Sequence, residues 1–253
     1  MNKILLFITI LFISNITFGQ EKKFYYESGE VKAIGEVKNG EKSGLWKMYY
    51  KNGQLMGIGN MKNNTAFGAW KIYYENGQLE SIGKFENEKE SGEWKNYYEN
   101  GQLKWIGKYE NGKRIDEWKY YYKNGQLEHI GTFINGLPSG ESLTYFEGGE
   151  FKKRQLYLNN GEIRETNYYV SGQLNYQIVF GKDGLSKNEA KYYHENGELR
   201  EIGSWSKGKR EGVWKTYHEN GQLESIGEYI GFIPTGLWKY YDESGELIRT
   251  DEK

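Results

Sequence analysis

YYENGQLESIGKFENEKESGEWKNYYENGQL, residues 73–103, begins and ends with the same seven letters, set 24 positions apart. The glycine of NGQL, or its equivalent, recurs along the chain at spacings of 23 to 25 residues. Its ten positions are Gly29, Gly53, Gly77, Gly101, Gly125, Gly149, Gly172, Gly197, Gly221 and Gly245. Self-similarity at a fixed period is typical of repeat architectures, in which each copy packs on the next. We therefore expect a single array of about ten repeats over residues 20–253, with no separate domain.

Each copy has the pattern of a β-hairpin. Asn precedes the turn glycine in six copies, at Asn52, Asn76, Asn100, Asn124, Asn196 and Asn220. Asn-Gly favours a two-residue type I′ turn, because both central residues of that turn need positive φ. The flanking segments are rich in aromatic and branched residues, as strands are. The predicted fold class is therefore all-β, with tandem 24-residue β-hairpin repeats forming an elongated, twisted antiparallel meander sheet.

The hairpin register gives each tryptophan a partner. Counting outward from a two-residue turn places Trp70 opposite Gly83 and Trp94 opposite Gly107. An indole would then lie across the bare backbone of its glycine, which is a stabilising device in sheets. The predicted structural residues of the repeat are Trp46, Trp70, Trp94, Trp118, Trp214, Trp238, Gly59, Gly83, Gly107, Gly131 and Gly227. Two copies lose both partners, with Gln155 facing Ser142 and Ile178 facing Glu165.

The same counting divides the side chains between two faces. The tryptophan face should carry Trp, the second Tyr of each YY pair, the Leu after the turn, the Gly and the aromatic residue near the strand end. The tyrosine face should carry the first Tyr of each pair and the Ile before Gly, among Lys and Glu. Tyr and charged side chains on a regular surface suit protein recognition. The predicted partner-binding residues are Tyr73, Tyr97, Tyr121, Lys71, Lys95 and Lys119. Because all ten copies keep this Tyr, a purely structural role is the alternative.

The N-terminus and the composition limit the possible settings. Residues 1–19 have a basic start at Lys3, an apolar run from Ile4 to Ile16 and a small residue at Gly19, the order of a secretory signal peptide. We expect export to the periplasm, cell surface or medium after cleavage near Gly19; an uncleaved anchor is the alternative. The 34 basic and 35 acidic residues give a net charge of -1, which argues against nucleic acid and lipid as partners. The absence of cysteine excludes disulfides.

No motif in the chain indicates catalysis, a metal or a cofactor. The three histidines, His129, His194 and His218, lack the further ligands that a zinc site needs. No nucleophile elbow, phosphate-binding loop or dinucleotide fingerprint is present. We therefore expect a protein that is not an enzyme and has no cofactor. The basic run Lys152–Arg154 would suit an acidic partner, and an ordinary solvated charge cluster is the alternative.

The recurring pattern resembles a known repeat. Its match is carried by Gly92, Trp94, Tyr97, Tyr98, Asn100, Gly101, Leu103, Gly107, Tyr109 and Gly112 and their counterparts. It is similar to the MORN-variant repeat, as found in the YwqK-like toxin–antitoxin system antitoxin family, over about residues 24–250. The resemblance implies a hairpin array used as a binding scaffold. We expect an exported, non-enzymatic scaffold that binds a protein or a cell-surface ligand. The alternative is an antitoxin or immunity protein that neutralises a toxin by direct binding. The partner and the oligomeric state stay open.

Overall fold

The computed structural model describes residues 20–182 and 189–253, and within them the chain forms twenty strands. Every described strand pairs antiparallel with its sequence neighbour, so the described residues form one open meander sheet, as predicted. The strands are β1 (Gln20–Tyr25), β2 (Val31–Lys38), β3 (Glu41–Tyr49), β4 (Leu55–Lys62), β5 (Thr65–Tyr73), β6 (Leu79–Glu86), β7 (Lys89–Tyr97), β8 (Leu103–Glu110), β9 (Lys113–Tyr121), β10 (Leu127–Ile134), β11 (Leu137–Tyr145), β12 (Phe151–Tyr157), β13 (Ile163–Tyr168), β14 (Leu174–Phe180), β15 (Glu189–Tyr193), β16 (Leu199–Ser206), β17 (Lys209–Tyr217), β18 (Leu223–Ile230), β19 (Ile233–Tyr241) and β20 (Leu247–Glu252). The expected signal peptide, residues 1–19, lies outside the described residues.

The turn at NGQL differs from the predicted one. The amide of Tyr50 donates to the carbonyl of Gln54 at 2.9 Å, and the amide of Gly53 donates to the carbonyl of Tyr50 at 3.0 Å. Gly53 has a φ of 83°, whereas the preceding Asn52 stays outside the positive-φ region. A type I turn followed by a left-handed glycine has these features and makes a three-residue loop. The predicted type I′ turn at this position is therefore wrong. Asn52 is favoured for another reason, because its Oδ1 accepts from the amide of Gln54 at 2.9 Å.

The predicted register beyond the turn is nevertheless confirmed. Next to the turn Tyr49 pairs with Leu55, and a β-bulge follows directly. The bulge shifts the register by one residue and so offsets the additional loop residue. Trp46 therefore pairs with Gly59, as counting from a two-residue loop also gives.

Two successive residues with positive φ, as in a type I′ turn, occur instead at the second turn of six copies within the described ranges. Asn39 and Gly40 have φ values of 53° and 83°, and Lys38 pairs with Glu41 across them. A bulge then inserts two residues, Gly44 and Leu45, into the strand that carries Trp46. Gly44 has a φ of 69° at this bulge. The residues between this turn and the tryptophan are thus part of the strand itself.

Each indole covers the glycine on the strand before it, not the glycine across the NGQL turn. A Cβ added to Gly83 would lie 2.1 Å from Cδ2 of Trp94. The prediction that the Trp94 ring covers Gly107 is therefore wrong, although the two residues do pair in register. Nε1 of Trp94 donates to the carbonyl of Lys84 at 3.2 Å, directly after the covered glycine. The covered pairs are Gly35 with Trp46, Gly59 with Trp70, Gly83 with Trp94, Gly107 with Trp118, Gly203 with Trp214 and Gly227 with Trp238.

Aromatic rings connect three of the indoles into a continuous ladder on the tryptophan face. Ring centroids lie 4.9 to 6.4 Å apart along this ladder, mostly edge to face. Its members in order are Trp70, Phe85, Trp94, Tyr109, Trp118 and Phe133. The six tryptophans that cover a glycine are 1 to 6% exposed. A one-layer sheet thus buries its largest side chains by laying them flat on bare backbone.

The middle of the array departs from this scheme. Between β12 and β13 the loop has three residues and the pairing shows no bulge. Compared with the second turn of a regular copy, this connection has one more loop residue and lacks the two bulge residues. The net loss of one residue explains the 23-residue spacing between Gly149 and Gly172. The successive spacings of 23 and 25 residues around Gly172 favour a local bulge, whereas the structure loses a bulge here. Further on, β14 and β15 pair at only two positions among the described residues.

Candidate binding surface

The structure brings the predicted partner-binding lysines into one row across the tyrosine face. Lys71 pairs with Ile82, Ile82 with Lys95, Lys95 with Ile106, and Ile106 with Lys119. Lys and Ile therefore alternate from strand to strand. The row places apolar and cationic groups side by side on an accessible surface. Whether these lysines bind a partner stays a prediction.

A second row on the same face holds the tyrosines. Leu79 pairs with Tyr73, and Leu103 pairs with Tyr97. The Leu after each turn therefore belongs to the tyrosine face, and its predicted place on the tryptophan face is wrong. Phe151 holds this Leu position in its copy, and its ring lies 5.8 Å from Tyr145 and 5.1 Å from Tyr168. Tyr73, Tyr97 and Tyr121 are all half-buried, so they combine packing with an accessible edge.

Ion pairs distinguish lysines that occupy equivalent positions. Lys95 lies 3.0 Å from Glu93, and Lys119 lies 2.8 Å from Glu117. The hydrogen bond to the neighbouring carboxylate raises the pKa of Lys95 and of Lys119. Lys71 is exposed and has Ala69 at the corresponding position, and it makes no ion pair with any described residue. The predicted lysines therefore differ in their freedom to meet a partner.

The second Tyr of each pair binds the next copy. The hydroxyl of Tyr50 donates to the carbonyl of Tyr73 at 2.8 Å, and that of Tyr98 donates to the carbonyl of Tyr121 at 2.7 Å. His194 and His218 hold the same position in their copies. Their Nε2 atoms lie 2.8 and 3.0 Å from the carbonyls of the next copy, so Nε2 carries the proton. The two histidines thus replace tyrosine as interrepeat donors.

A polar network takes the place of the indoles in the central copies. Glu165 stands at a tryptophan position, and it accepts hydrogen bonds from Gln155 at 2.6 Å and from the hydroxyl of Tyr176 at 2.5 Å. Lys153 lies 3.8 Å from the same carboxylate. Burial, assisted by Glu165, raises the pKa of Tyr176. Every polar group named here has a partner. The network therefore replaces the aromatic packing of the regular copies with hydrogen bonds and an ion pair.

A serine and a histidine also meet on the tryptophan face. The Ser142 hydroxyl lies 3.4 Å from Nε2 of His129, and Nδ1 of His129 lies 3.1 Å from Oγ1 of Thr144. Burial, with a smaller effect of Lys153, lowers the pKa of His129. Ser142 is only 5% exposed, and a threonine occupies the place where a hydrolase triad has its carboxylate. This arrangement fills the space of a missing indole and offers no accessible nucleophile.

The basic run at residues 152–154 does not form one cluster. Lys152 lies over the ring of Phe146 at 5.1 Å, and Lys153 approaches Glu165 on the tryptophan face. Arg154 binds Glu141 at 2.5 Å. Strand alternation places Lys153 and Arg154 on opposite faces, and Lys152 lies at the bulge next to the turn, so each side chain has its own partner. The expectation of a joint contact for an acidic group is therefore wrong.

The described residues contain no group of three or more His, Cys, Asp or Glu side chains placed to hold a metal ion. No helix long and apolar enough to cross a bilayer occurs in the described part of the chain.

Comparison with known families matches the repeat directly. The model described as "MORN repeat variant" matches eight segments that cover more than half of the chain: residues 21–39, 42–63, 68–87, 90–111, 117–135, 188–207, 210–230 and 234–251. The chain belongs to the MORN repeat variant family. The unmatched stretch between residues 135 and 188 is the part where the indole ladder is interrupted. The YwqK-like antitoxin assignment is finer than this match and stays a prediction.

No curated protein matches this chain. A crystal structure titled TcdB2-TccC3-TEV is 14% identical over 92% of this chain, with a TM-score of 0.23, and this chain spans 14% of that one. The Photorhabdus luminescens Tc holotoxin pore with mutation TccC3-D651A gives 14% identity, 91% and 14% coverage, and a TM-score of 0.22. A porin-like protein from Bacteroides uniformis ATCC 8492 is 10% identical, with 87% and 88% coverage and a TM-score of 0.20. We draw no conclusion from similarities at this level.

Proposed function

We propose that this MORN repeat variant protein is an exported, non-enzymatic scaffold that binds a protein partner along its tyrosine face. The observation that carries the proposal is the pair of parallel rows, Tyr with Leu and Lys with Ile, running from strand to strand. Tyrosine supplies large contact area at low entropic cost, and a regular charged surround gives orientation. Export rests on the signal-peptide pattern of residues 1–19.

The two faces differ in what they offer a partner. The tryptophan face has its indoles buried against backbone glycine, so those rings are already used in folding. The tyrosine face keeps half-buried Tyr rings and exposed Lys side chains. Clefts also lie along it, one of them about 480 Å³ in volume and lined in part by Leu45, Lys47 and Tyr49. Recognition therefore belongs to the tyrosine face.

Site-specific photocrosslinking tests this proposal. A benzophenone amino acid replaces Tyr97 in one variant and Glu88, at an exposed second turn, in a matched control. Each variant is exposed to the exported fraction of its own cell, and the products are identified by mass spectrometry. We expect one protein to be joined through position 97 and not through position 88. Equal capture at both positions, or capture at neither, would contradict a tyrosine-face scaffold.

The antitoxin alternative has no structural observation of its own. It predicts a toxin encoded nearby and rescue of growth when toxin and scaffold are produced together. If the protein captured at position 97 is a toxin whose activity falls on binding, this finer assignment replaces the general one.

A further inference from the structure

We propose that the binding site on the tyrosine face is the N-terminal patch, formed by Leu45, Lys47, Tyr49, Ile58, Ala69, Lys71 and Tyr73, and that its partner is an extended polypeptide segment with acidic residues three positions apart around apolar ones. The proposal rests on the proposed function and names the copies and the ligand chemistry. It differs from the sequence-based choice, which also included the lysines at positions 95 and 119.

Charge separates this patch from the central copies. Lys47 and Lys71 are exposed, and neither makes an ion pair with a described residue. At the position two residues before them stand Leu45 and Ala69, where the next two copies have glutamates that pair with their own lysines. The lysines of the patch therefore have no internal ion pair that a partner would need to break. Those of the central copies must first give up an internal carboxylate.

Equivalent clefts show the same contrast. The cleft of about 280 Å³ at the central copies contains Lys108 with Asp116 at 3.2 Å and Lys119 with Glu117 at 2.8 Å. In the cleft of about 480 Å³ at the N-terminal patch, Lys47 stands beside Leu45, which is 52% exposed. The carboxylates of Glu21 and Glu36 also line this cleft, and neither comes within 4.0 Å of the Lys47 ammonium. The lysines of the first cleft are held in internal ion pairs, whereas Lys47 in the second has no carboxylate partner among the described residues.

Apolar contacts favour a polypeptide over other polyanions. Leu45 is exposed on this face, and Lys47 pairs with Ile58, which in turn pairs with Lys71. A nucleic acid or an acidic polysaccharide would satisfy the lysines and leave the exposed aliphatic side chain unused. A peptide with apolar residues between its acids covers both kinds of group.

Strand spacing sets the spacing of the acids. Lys47 and Lys71 lie on β3 and β5, two strand spacings apart, which is about 10 Å. A polyproline II segment advances about 3.1 Å per residue with three residues per turn, so residues three apart lie about 9 Å from each other on the same side of the chain. A segment that crosses the strands with Glu at both ends of a four-residue unit would place one carboxylate at each lysine.

The test uses the whole repeat array, residues 20–253, and a defined probe. The probe is a fluorescein-labelled peptide with two Glu three positions apart and Leu between them, and its binding is measured by fluorescence anisotropy. One control peptide has the same composition with the two Glu adjacent, and a second carries Lys in place of Glu. An acidic polysaccharide of similar charge serves as a competitor. We expect binding of the first peptide only, and weak competition by the polysaccharide.

Matched protein variants locate the contact. Lys47→Gln with Lys71→Gln should weaken binding of the probe at least tenfold. Lys95→Gln with Lys119→Gln changes the net charge by the same amount and should leave binding within about twofold of the wild type. Glu93→Ala with Glu117→Ala copies the residue at position 69 and should strengthen binding, because two more lysines become free. A thermal melt of each variant confirms that the fold is retained.

Four outcomes would overturn the proposal: no binding of the probe to the wild type, equal binding of the adjacent-Glu peptide, equal loss in both lysine variants, or full displacement by the polysaccharide. If any of them is found while crosslinking at position 97 still captures a protein, the scaffold function stands and the N-terminal patch is wrong. If crosslinking also fails, both proposals fall.

Discussion

At the scale of the residue, the repeat depends on the absence of a single carbon atom. A Cβ on Gly107 would lie 2.2 Å from Cδ2 of Trp118, far inside van der Waals contact. On Gly131, which stands before a serine instead of a tryptophan, the nearest atoms are side-chain atoms of His129 and Ser142 at 3.3 Å. The glycine is therefore required where an indole covers it, and an added Cβ meets a much smaller conflict where none does.

This difference predicts the effects of two matched substitutions. Gly107→Ala should lower the free energy of unfolding by about 1–3 kcal/mol, because the Trp118 ring must leave its place. Gly131→Ala should change it by less than about 0.5 kcal/mol. Urea denaturation followed by circular dichroism measures both. Similar losses in the two variants would show that the indole does not explain the glycine.

The sequence predicted this pairing only in part, and the missing part is local. Periodicity identified which residues cooperate, and counting gave the correct register of Trp94 with Gly107. Direct cross-strand pairing leaves two glycines beside each indole, however, and the bulge around Gly92 decides which one the ring covers. Turn type was misjudged for the same reason. Asn-Gly fits two loop geometries, and only the backbone angles distinguish them.

At the scale of the element, each hairpin is fastened to the next through a side-chain donor at its turn. The hydroxyl of Tyr98 reaches the carbonyl of Tyr121, and equivalent bonds join most of the copies. Phe146 holds this position in its copy and has no hydroxyl. This hydrogen bond thus links the regular copies to each other, and the copy that contains Phe146 lacks it.

Removing or adding one hydroxyl should therefore move stability in opposite directions. Tyr98→Phe leaves the part-buried Tyr121 carbonyl without its donor, which should cost about 1 kcal/mol. Phe146→Tyr should add a donor aimed at the backbone of the next copy and stabilise the fold by about 0.5–1 kcal/mol. Thermal denaturation of the two single variants checks this. Stabilisation by Tyr98→Phe would contradict a stabilising role of this interrepeat hydrogen bond.

The same tyrosines predict a dependence on alkaline pH. Burial, followed by nearby glutamates, raises the pKa of Tyr50, Tyr74, Tyr98 and Tyr122. A phenol whose pKa is higher in the folded state stabilises that state fully below the unfolded pKa of about 10. Its contribution is then lost as the pH rises through the folded pKa, since the phenolate cannot donate.

We therefore expect the melting temperature to be steady between neutral pH and about 9 and to fall above about 10. Replacing all four of these tyrosines by Phe should lower stability at neutral pH and make the alkaline fall shallower. Melting curves of both proteins at a series of pH values test the point. An alkaline fall of the same steepness in the variant would assign the effect to other tyrosines.

At the scale of the whole molecule, the array has two regular parts separated by an interrupted one. Stability in a repeat protein is roughly a sum over copies and their nearest-neighbour contacts. Around residues 142–180 three of these contacts are weakened together: the indoles are replaced, Phe146 lacks its hydroxyl, and β14 pairs with β15 at two described positions. The sequence located this region through the loss of Trp and Gly. It could not show the polar network around Glu165, because the partners of that network come from three strands.

Local opening should consequently be easiest in the middle. Amide hydrogens of β12–β14 should exchange faster than those of β5–β8, because fewer contacts must break for these strands to open. Ser142→Trp is the matched variant, because Gly131 keeps the bare backbone on which an indole lies in the regular copies. His129 stands at the position of Trp105, and the contact of Trp105 with Trp118 shows that a large ring at this position is compatible with the packing. The substitution should slow exchange in β10–β12 and leave β5–β8 unchanged. Hydrogen exchange read by mass spectrometry measures both regions in one sample. Uniform exchange along the wild-type array would mean that the polar network couples the central copies as firmly as the indole ladder couples the others.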